Sequence, residues 1–417
     1  MRLKMKILMI SSLDSFIGGE GVYITEVIKS LREEGHNVLH IVLDDLKLHS
    51  DLNLIDNPSG FTDTVIIPYN FQNRAEHIFS NNLISFNLYK QIRRQVILFN
   101  PDIIHLHKVK LIKTVLLASR GFPKIQTIHE MSVIFPLFPL FFNISPKTEY
   151  DGKLYLGMHK TIGLKFRTIL FDYIIFGNDW IKKRTIRYFL CPSKHLTDMC
   201  RNAGFKNAVY FPYFQEISPH NFKKIKNRGN KDYLLFVGRL DKIKGVDYLL
   251  KAFKIVHENN KSLKLFIVGD GPEREKLIKL SYELRVNKFV LFTGWIDNGK
   301  LKDYYKNAIA VVIPSIYPET GPLVALEAMN YSKPIIAFNS GGLNDLIENG
   351  INGFLTERFD IDDLADKINL ILKNKKKAAK MGENGRKMLE KNWSKEKHIA
   401  KLITIYNSTI LSNKILR

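Results

Sequence analysis

Cysteine is nearly missing from this 417-residue chain: Cys191 and Cys200 are the only two. Two thiols build no disulfide framework, which fits a reducing compartment. Long apolar runs are missing too. None reaches the roughly 18–20 residues that a membrane-spanning helix needs. The best stretch, VIFPLFPLFFNI from Val133 to Ile144, is interrupted by Pro136 and Pro139. The opening MRLKMKILMISS carries an apolar run of strand length, too short for a secretory leader. Repeats and low-complexity tracts are absent, so solenoids and disordered tails are excluded. Acidic residues are scarce, 41 against 63 basic ones, which leaves a net charge of +22. Such a balance suits a polyanionic partner, whether nucleic acid, an anionic membrane surface or a phosphorylated ligand. A lysine-rich proteome would give the same number, so charge alone selects none of them. These absences leave a cytoplasmic globular protein, free or peripheral on the inner face of the membrane.

What is present is a rhythm. Short apolar runs alternate with amphipathic segments of helical length, the pattern of a parallel, doubly wound α/β sheet. In the first half the strands are MKILMIS, NVLHIVL, TVIIPY, DIIHLH, IQTIH and RYFLCPS. After Pro212 a second series runs YLLFVGRL, LKLFIVG, FVLFTGW, AVVIPS, PIIAF and NGFLT. The polar, turn-rich segment over 212–231 reads as the join between two Rossmann-like domains. The expected division is 1–212, 213–395, and a last helical stretch over 396–417 that returns to the first domain. Ligands in such sheets bind beyond the carboxyl ends of the strands, here expected in a cleft between the two domains.

The chemistry-bearing residues follow strands. Gly18 and Gly19 precede a helix expected to begin near Glu20 or Gly21, where free amides face an anion. His105 and His107 end one strand and His129 another, placing hydrogen-bonding imidazoles on the ligand side. Their spacing supplies no third metal ligand. Arg239 follows the strand LLFV, and Lys244 lies just before a helix expected to start near Val246. Together they form an anion clamp suited to one diphosphate. FIVGDGP stops short of G-x-G-x-x-G, so a dinucleotide redox site gains no support. Glu319 and Glu327 stand eight positions apart in PETGPLVALEAM. Pro322 suits the first helical position, which assigns Glu319 to the loop and Glu327 to the helix. Gly321 and the amides of Leu323 and Val324 lie between the two carboxylates.

The combination of GR…KG, VGDGP, E-x7-E and GG…NGFL resembles the retaining nucleotide-sugar glycosyltransferases of family 4, which have the GT-B fold. The resemblance runs from IGGEGVYITEV to INGFL. It implies an acceptor-binding first domain and a donor-binding second domain. Arg239 and Lys244 would neutralise the donor diphosphate, helped by Gly321, Leu323 and Val324. Glu327 would accept from the ribose hydroxyls, and Glu319 would hold the donor sugar. Gly18 and Gly19 would form a phosphate and acceptor loop. His129 would lie near the transferred sugar, with His107 on the acceptor side. No metal and no other cofactor is expected. The implied partners are a nucleotide-sugar donor, a glycan or lipid-linked acceptor and an anionic membrane surface, but not nucleic acid. Oligomeric state is left open. Three departures stand out: Thr320-Gly321-Pro322 replaces Gly-Phe-Gly, Asp345 follows Asn344 where relatives have Glu, and FPYFQE replaces a PNG turn. The aromatic segment with Phe135, Leu137, Phe138, Leu140, Phe141 and Phe142, followed by Lys182, Lys183, Arg184 and Arg187, suits a lipid-linked acceptor. The competing readings are a nucleotide-sugar epimerase of the same fold and a non-catalytic basic polyanion-binding protein.

Overall fold

Runs such as Ile7–Ile10 have nowhere to go but inward, and they are fully buried. In the computed structural model, which describes residues 4–13, 18–45, 63–69, 84–131, 179–218 and 232–415, they form the centre of a parallel sheet. Two compact units result: Met1–Pro212 with His398–Arg417, and Tyr213–Lys397.

The first unit holds seven strands: β1 Lys6–Ser12, β2 Asn37–Asp45, β3 Thr64–Tyr69, β4 Ile103–Leu106, β5 Lys124–Thr127, β6 Tyr188–Cys191 and β7 Ala208–Tyr210. Their order in the sheet is β3-β2-β1-β4-β5-β6-β7, and every pairing is parallel. The second unit holds β8 Tyr233–Val237, β9 Lys264–Val268, β10 Val290–Gly294, β11 Ala310–Ile313, β12 Ile335–Phe338 and β13 Gly353–Thr356, ordered β10-β9-β8-β11-β12-β13. Twelve of these strands coincide with the apolar runs of the sequence. The short β7 had no such signal.

In each unit the strand order reverses once, between β1 and β4 and between β8 and β11. At such a switch point the connections leave in opposite directions and open a crevice at the carboxyl ends. Five helices carry or steady the candidate residues: α1 Gly19–Glu33, α2 Val246–Asn259, α3 Asn298–Asn307, α4 Leu323–Asn330 and α5 Lys395–Ile415. Two of them start differently from expectation. Gly18 caps α1, so Gly19 is already helical. Pro322 is the cap of α4 rather than its first residue (φ −77°, ψ 89°).

From His398 onward α5 packs into the first unit through a directed chain of hydrogen bonds. The Pro212 carbonyl can only accept, so His398 carries its proton on Nδ1 (2.9 Å) and its Nε2 accepts from the Tyr23 hydroxyl (3.0 Å). Tyr23 is bonded in turn to Thr127, whose Oγ1 lies 2.7 Å from His105 Nε2. With those protons placed, His105 Nδ1 accepts from the Tyr406 hydroxyl at 2.7 Å. Tyr23, Thr127, His105, His398 and Tyr406 are all buried, and each finds the partner that burial demands. Among the described residues no helix is long and apolar enough to cross a membrane. The aromatic run from Phe135 to Phe142 lies outside the described residues, as does most of the expected join over 212–231.

Candidate active site

The switch point of the second unit brings three strand ends together. After β8 come Gly238 and Arg239, then a short 3-10 turn over Lys242–Lys244 and Gly245 as the cap of α2. After β11 the chain runs from Pro314 through Glu319 to Pro322. After β12 it turns at Gly341 and Gly342. Main-chain bonds tie these loops to one another. Ile316 and Tyr317 both donate to the Ile243 carbonyl, at 3.0 and 3.3 Å, and Gly342 donates to the Glu319 carbonyl at 2.6 Å. The Ser340 hydroxyl closes the set on the Tyr317 carbonyl at 2.7 Å.

Two glycines make this approach feasible. Gly245 sits at φ +65°, and a Cβ there would lie 2.0 Å from the Pro314 oxygen. Gly341, at φ +54°, would put a Cβ 2.5 Å from the Glu319 oxygen. Both positions need the left-handed region and bare backbone contact, which only glycine supplies without strain.

The frame sets the side chains. Lys244 donates from Nζ to Glu319 Oε1 at 2.7 Å, with the two side chains 29% and 12% exposed. Arg239 is largely exposed and donates from Nε to Asp241 Oδ2 at 2.8 Å. The two expected clamp cations are therefore each steadied by a carboxylate of their own. Pro322 gives α4 no side-chain cap, so the first amides, Leu323 and Val324, have neither an intrahelical acceptor nor a capping one. Gly321 adjoins them.

Glu327 lies one turn further along α4, half-buried. The Tyr305 hydroxyl of α3 donates to its Oε2 at 2.5 Å. Burial raises the Glu327 pKa above its ordinary value, and the Tyr305 bond pulls it back down. Tyr305 itself is buried, stacked 5.4 Å from Tyr331 with ring planes 10° apart. The sequence reading missed Tyr305. Its signal was the apolar setting of Glu327, which demands a partner, although nothing in the spacing says which.

In the first unit, the switch-point strands β1 and β4, with the adjacent β5, carry the remaining candidates. Gly18 and Gly19 open α1, and Glu20 puts an acidic group in its first turn, favoured by the helix dipole. The Glu20 carboxylate is 3.9 Å from His129 Nε2, a neighbour that sequence reading did not single out. His107 Nδ1 and His129 Nε2 lie 2.9 Å apart and share one proton. Both rings are buried, and burial together with the neighbouring imidazole holds both pKa values well below the ordinary one. They are neutral donors and acceptors near pH 7 rather than cations. His107 Nε2 has no hydrogen-bond partner among the described residues. His105, by contrast, has both nitrogens bonded and serves the core.

Residues 218–388 match the sequence family described as Glycosyl transferases group 1, and residues 17–208 match Glycosyltransferase Family 4. An uncharacterized glycosyltransferase of Methanocaldococcus jannaschii is 38% identical over 154 residues, 36% of this chain and 39% of that protein. The poly(ribitol-phosphate) alpha-N-acetylglucosaminyltransferase of Staphylococcus aureus is 29% identical over 216 residues, 51% of this chain and 42% of that one. The chain thus spans about two-fifths of the length of these two relatives. Among solved structures, Anabaena HepE in complex with UDP and glucose superposes with a TM-score of 0.69 at 17% identity, covering 97% of this chain and 100% of HepE. That likeness establishes a common fold.

Proposed function

The chain belongs to the family 4, group 1 glycosyltransferases of the GT-B fold, and from that premise we propose that it moves a sugar from a nucleotide-sugar donor to a glycan or lipid-linked acceptor with retention of configuration. The observation that carries this reading is the arrangement at the second switch point. Lys244 and Glu319 meet at the loop that leads into α4, whose N-terminus has no side-chain cap, and Glu327 lies on that helix bonded to Tyr305. A nucleoside diphosphate sugar has the matching sequence of groups. Its phosphates suit the amides of Leu323 and Val324 with Lys244, Arg239 and Gly321. Its ribose hydroxyls suit Glu327, and its sugar hydroxyls suit Glu319.

During transfer the bond between the anomeric carbon and the phosphate oxygen breaks, and negative charge grows on the leaving diphosphate. Cations and helix amides fixed where that charge appears lower the barrier, each such contact contributing about 3–4 kcal/mol. The acceptor hydroxyl attacks from the same face, and its proton passes to the leaving phosphate, so no protein nucleophile is required. Lys244 and Arg239 stand in for a metal ion in this scheme. On the first unit, the neutral His129, backed by His107, hydrogen-bonds the transferred sugar, and the loop at Gly18 and Gly19 receives the acceptor. The UDP and glucose held by HepE support a nucleotide-sugar donor. The poly(ribitol-phosphate) named for the Staphylococcus aureus relative supports surface-polysaccharide or glycolipid assembly.

A thermal-shift screen of nucleotide-sugars tests the donor. At a hundred times its dissociation constant the true donor stabilises the fold by about 2.7 kcal/mol. Transfer of labelled sugar to a glycan or lipid acceptor in excess chelator, with the product anomer read by NMR, tests the remainder. No stabilisation and no transfer by any nucleotide-sugar would overturn the reading. Conversion of the donor without acceptor would replace transfer with epimerisation.

A further inference from the structure

The amino ends of β5, β6 and β7 carry a second feature that the donor chemistry does not use. Phe122 and Pro123 precede β5, Ile186 and Arg187 precede β6, and Asn207 precedes β7. These amino-end segments line a cavity of about 400 Å³. Four cationic side chains line it, Lys124, Lys183, Arg184 and Arg187, and among the described residues no carboxylate does. Thr409, Ser412 and Asn413 of α5 add neutral hydrogen-bonding groups.

Neutral groups position three of these cations. Lys183 Nζ donates to the Ala203 carbonyl at 2.8 Å and lies 4.5 Å over the Phe205 ring. The Arg184 guanidinium stacks 4.1 Å over Trp180, and that of Arg187 sits 5.7 Å from the Tyr188 ring centre. Elsewhere in the chain comparable cations meet carboxylates: Lys244 with Glu319, Arg239 with Asp241, Arg386 with Glu390. Near the cavity, the Asp179 carboxylate faces Lys182 at 3.5 Å. Gathering Lys183, Arg184 and Arg187 around one concavity, with no carboxylate among its described lining residues, is costly through mutual repulsion, and a bound anion relieves it.

We propose that this amino-end cavity is an anion site that takes a phosphate-bearing group, separate from the donor site. The planar guanidinium forks of Arg184 and Arg187 and the ammonium groups of Lys124 and Lys183 match phosphate oxygens. A free phosphate or the headgroup of an anionic lipid offers the same chemistry. Trp180, 60% exposed beside Arg184, is the kind of side chain that settles at a membrane–water interface.

The test uses the full chain, the variant Lys183→Gln/Arg184→Gln/Arg187→Gln, and Lys244→Ala as the donor-site control. Binding is measured to vesicles of phosphatidylcholine with and without phosphatidylglycerol, and thermal stabilisation is measured with inorganic pyrophosphate. With a lipid source, wild type and Lys244→Ala bind phosphatidylglycerol vesicles equally, and the triple variant binds about a hundredfold to a thousandfold more weakly. With a soluble source, pyrophosphate stabilises Lys244→Ala, in which the donor clamp is broken, adding the three substitutions to that variant removes the stabilisation, and vesicles do not distinguish them. Ser412→Glu, which adds a carboxylate to the lining and leaves the cations alone, reproduces either loss and covers the case where the triple variant folds poorly. Unchanged binding in both arms by variants with wild-type circular dichroism overturns the proposal. Loss of donor binding in Lys244→Ala alone bears on the donor site and leaves this one standing.

Discussion

Lys244 and Glu319, 75 positions apart in sequence, meet at 2.7 Å because the Ile243 carbonyl accepts from the backbone of Ile316 and Tyr317. The pair is thus set by main chain, and each side chain can be removed without dismantling the loops. Lys244→Ala should lower the rate of sugar transfer about 100- to 1000-fold, the range for losing one preorganised charge contact. Glu327→Ala should do as much by removing the ribose acceptor. Steady-state kinetics with the identified donor decide it, and near-wild-type kcat/KM in both variants removes the donor-site assignment.

Gly245→Ala tests the frame instead of the charges. The new Cβ would lie 2.0 Å from the Pro314 oxygen at a φ of +65°. Either the turn shifts or the β11 loop does, and Lys244 moves with it. A stability loss of at least about 1 kcal/mol is expected from the left-handed backbone alone. It should come with a fall in turnover although no catalytic atom has changed. A melting curve and a transfer assay on the same sample check both.

Glu327 gives a pH signature with a definite sign. Its folded pKa is raised by burial, so between the ordinary value near 4.5 and the raised one the folded state holds a proton that the unfolded state has lost. Stability attributable to this residue therefore falls as pH rises through that window. Glu327→Gln should flatten this part of the stability–pH curve. Tyr305→Phe, which removes the bond that lowers the pKa, should move the window upward. Urea melts at several pH values read the slope.

The buried histidines act with the opposite sign. His105 and His398 are lowered from 6.5 to about 3, chiefly by burial. Between those values the unfolded state binds protons that the folded state refuses, so stability is lost as pH falls below about 6.5. Each histidine contributes a slope of up to about 1.4 kcal/mol per pH unit. Acid unfolding followed by circular dichroism should begin in that range, and His398→Phe should shift its onset to lower pH at some cost in stability near neutrality. An acid transition unchanged in His398→Phe would contradict the burial of His398 as a neutral imidazole.

Tyr406→Phe isolates one bond of that chain. It leaves His105 Nδ1 buried without its donor, a loss of about 1–3 kcal/mol. For units of this size that is roughly 2–4 °C of melting temperature per kcal/mol. Calorimetry of the two proteins checks it.

The strands were legible in the sequence because a parallel strand covered on both faces must be an unbroken apolar run. The three-residue β7 was too short for that signal. Arg239, Lys244 and Glu319 could be singled out because each lies in a loop after a strand, and Glu327 because it is a carboxylate amid apolar neighbours on the helix that follows. What could not be read was partnership. Tyr305 reaches Glu327 from another helix, Asp241 holds Arg239, and Glu20 approaches His129 from α1. These pairings depend on how layers stack, which local periodicity does not encode. Capping was misjudged by one residue at Pro322 and at Gly19, since proline and glycine are compatible with both the cap and the first turn.

The chain that joins Tyr406 to His105 also has a meaning in time. A ribosome delivers residues 213–397 after the first unit's strands and before His398, at roughly 5–20 residues per second. The first sheet therefore waits some tens of seconds with His105, Tyr23 and the Pro212 carbonyl still hydrated. The contiguous second unit can close as soon as it emerges. The half that begins synthesis first is the half that finishes last.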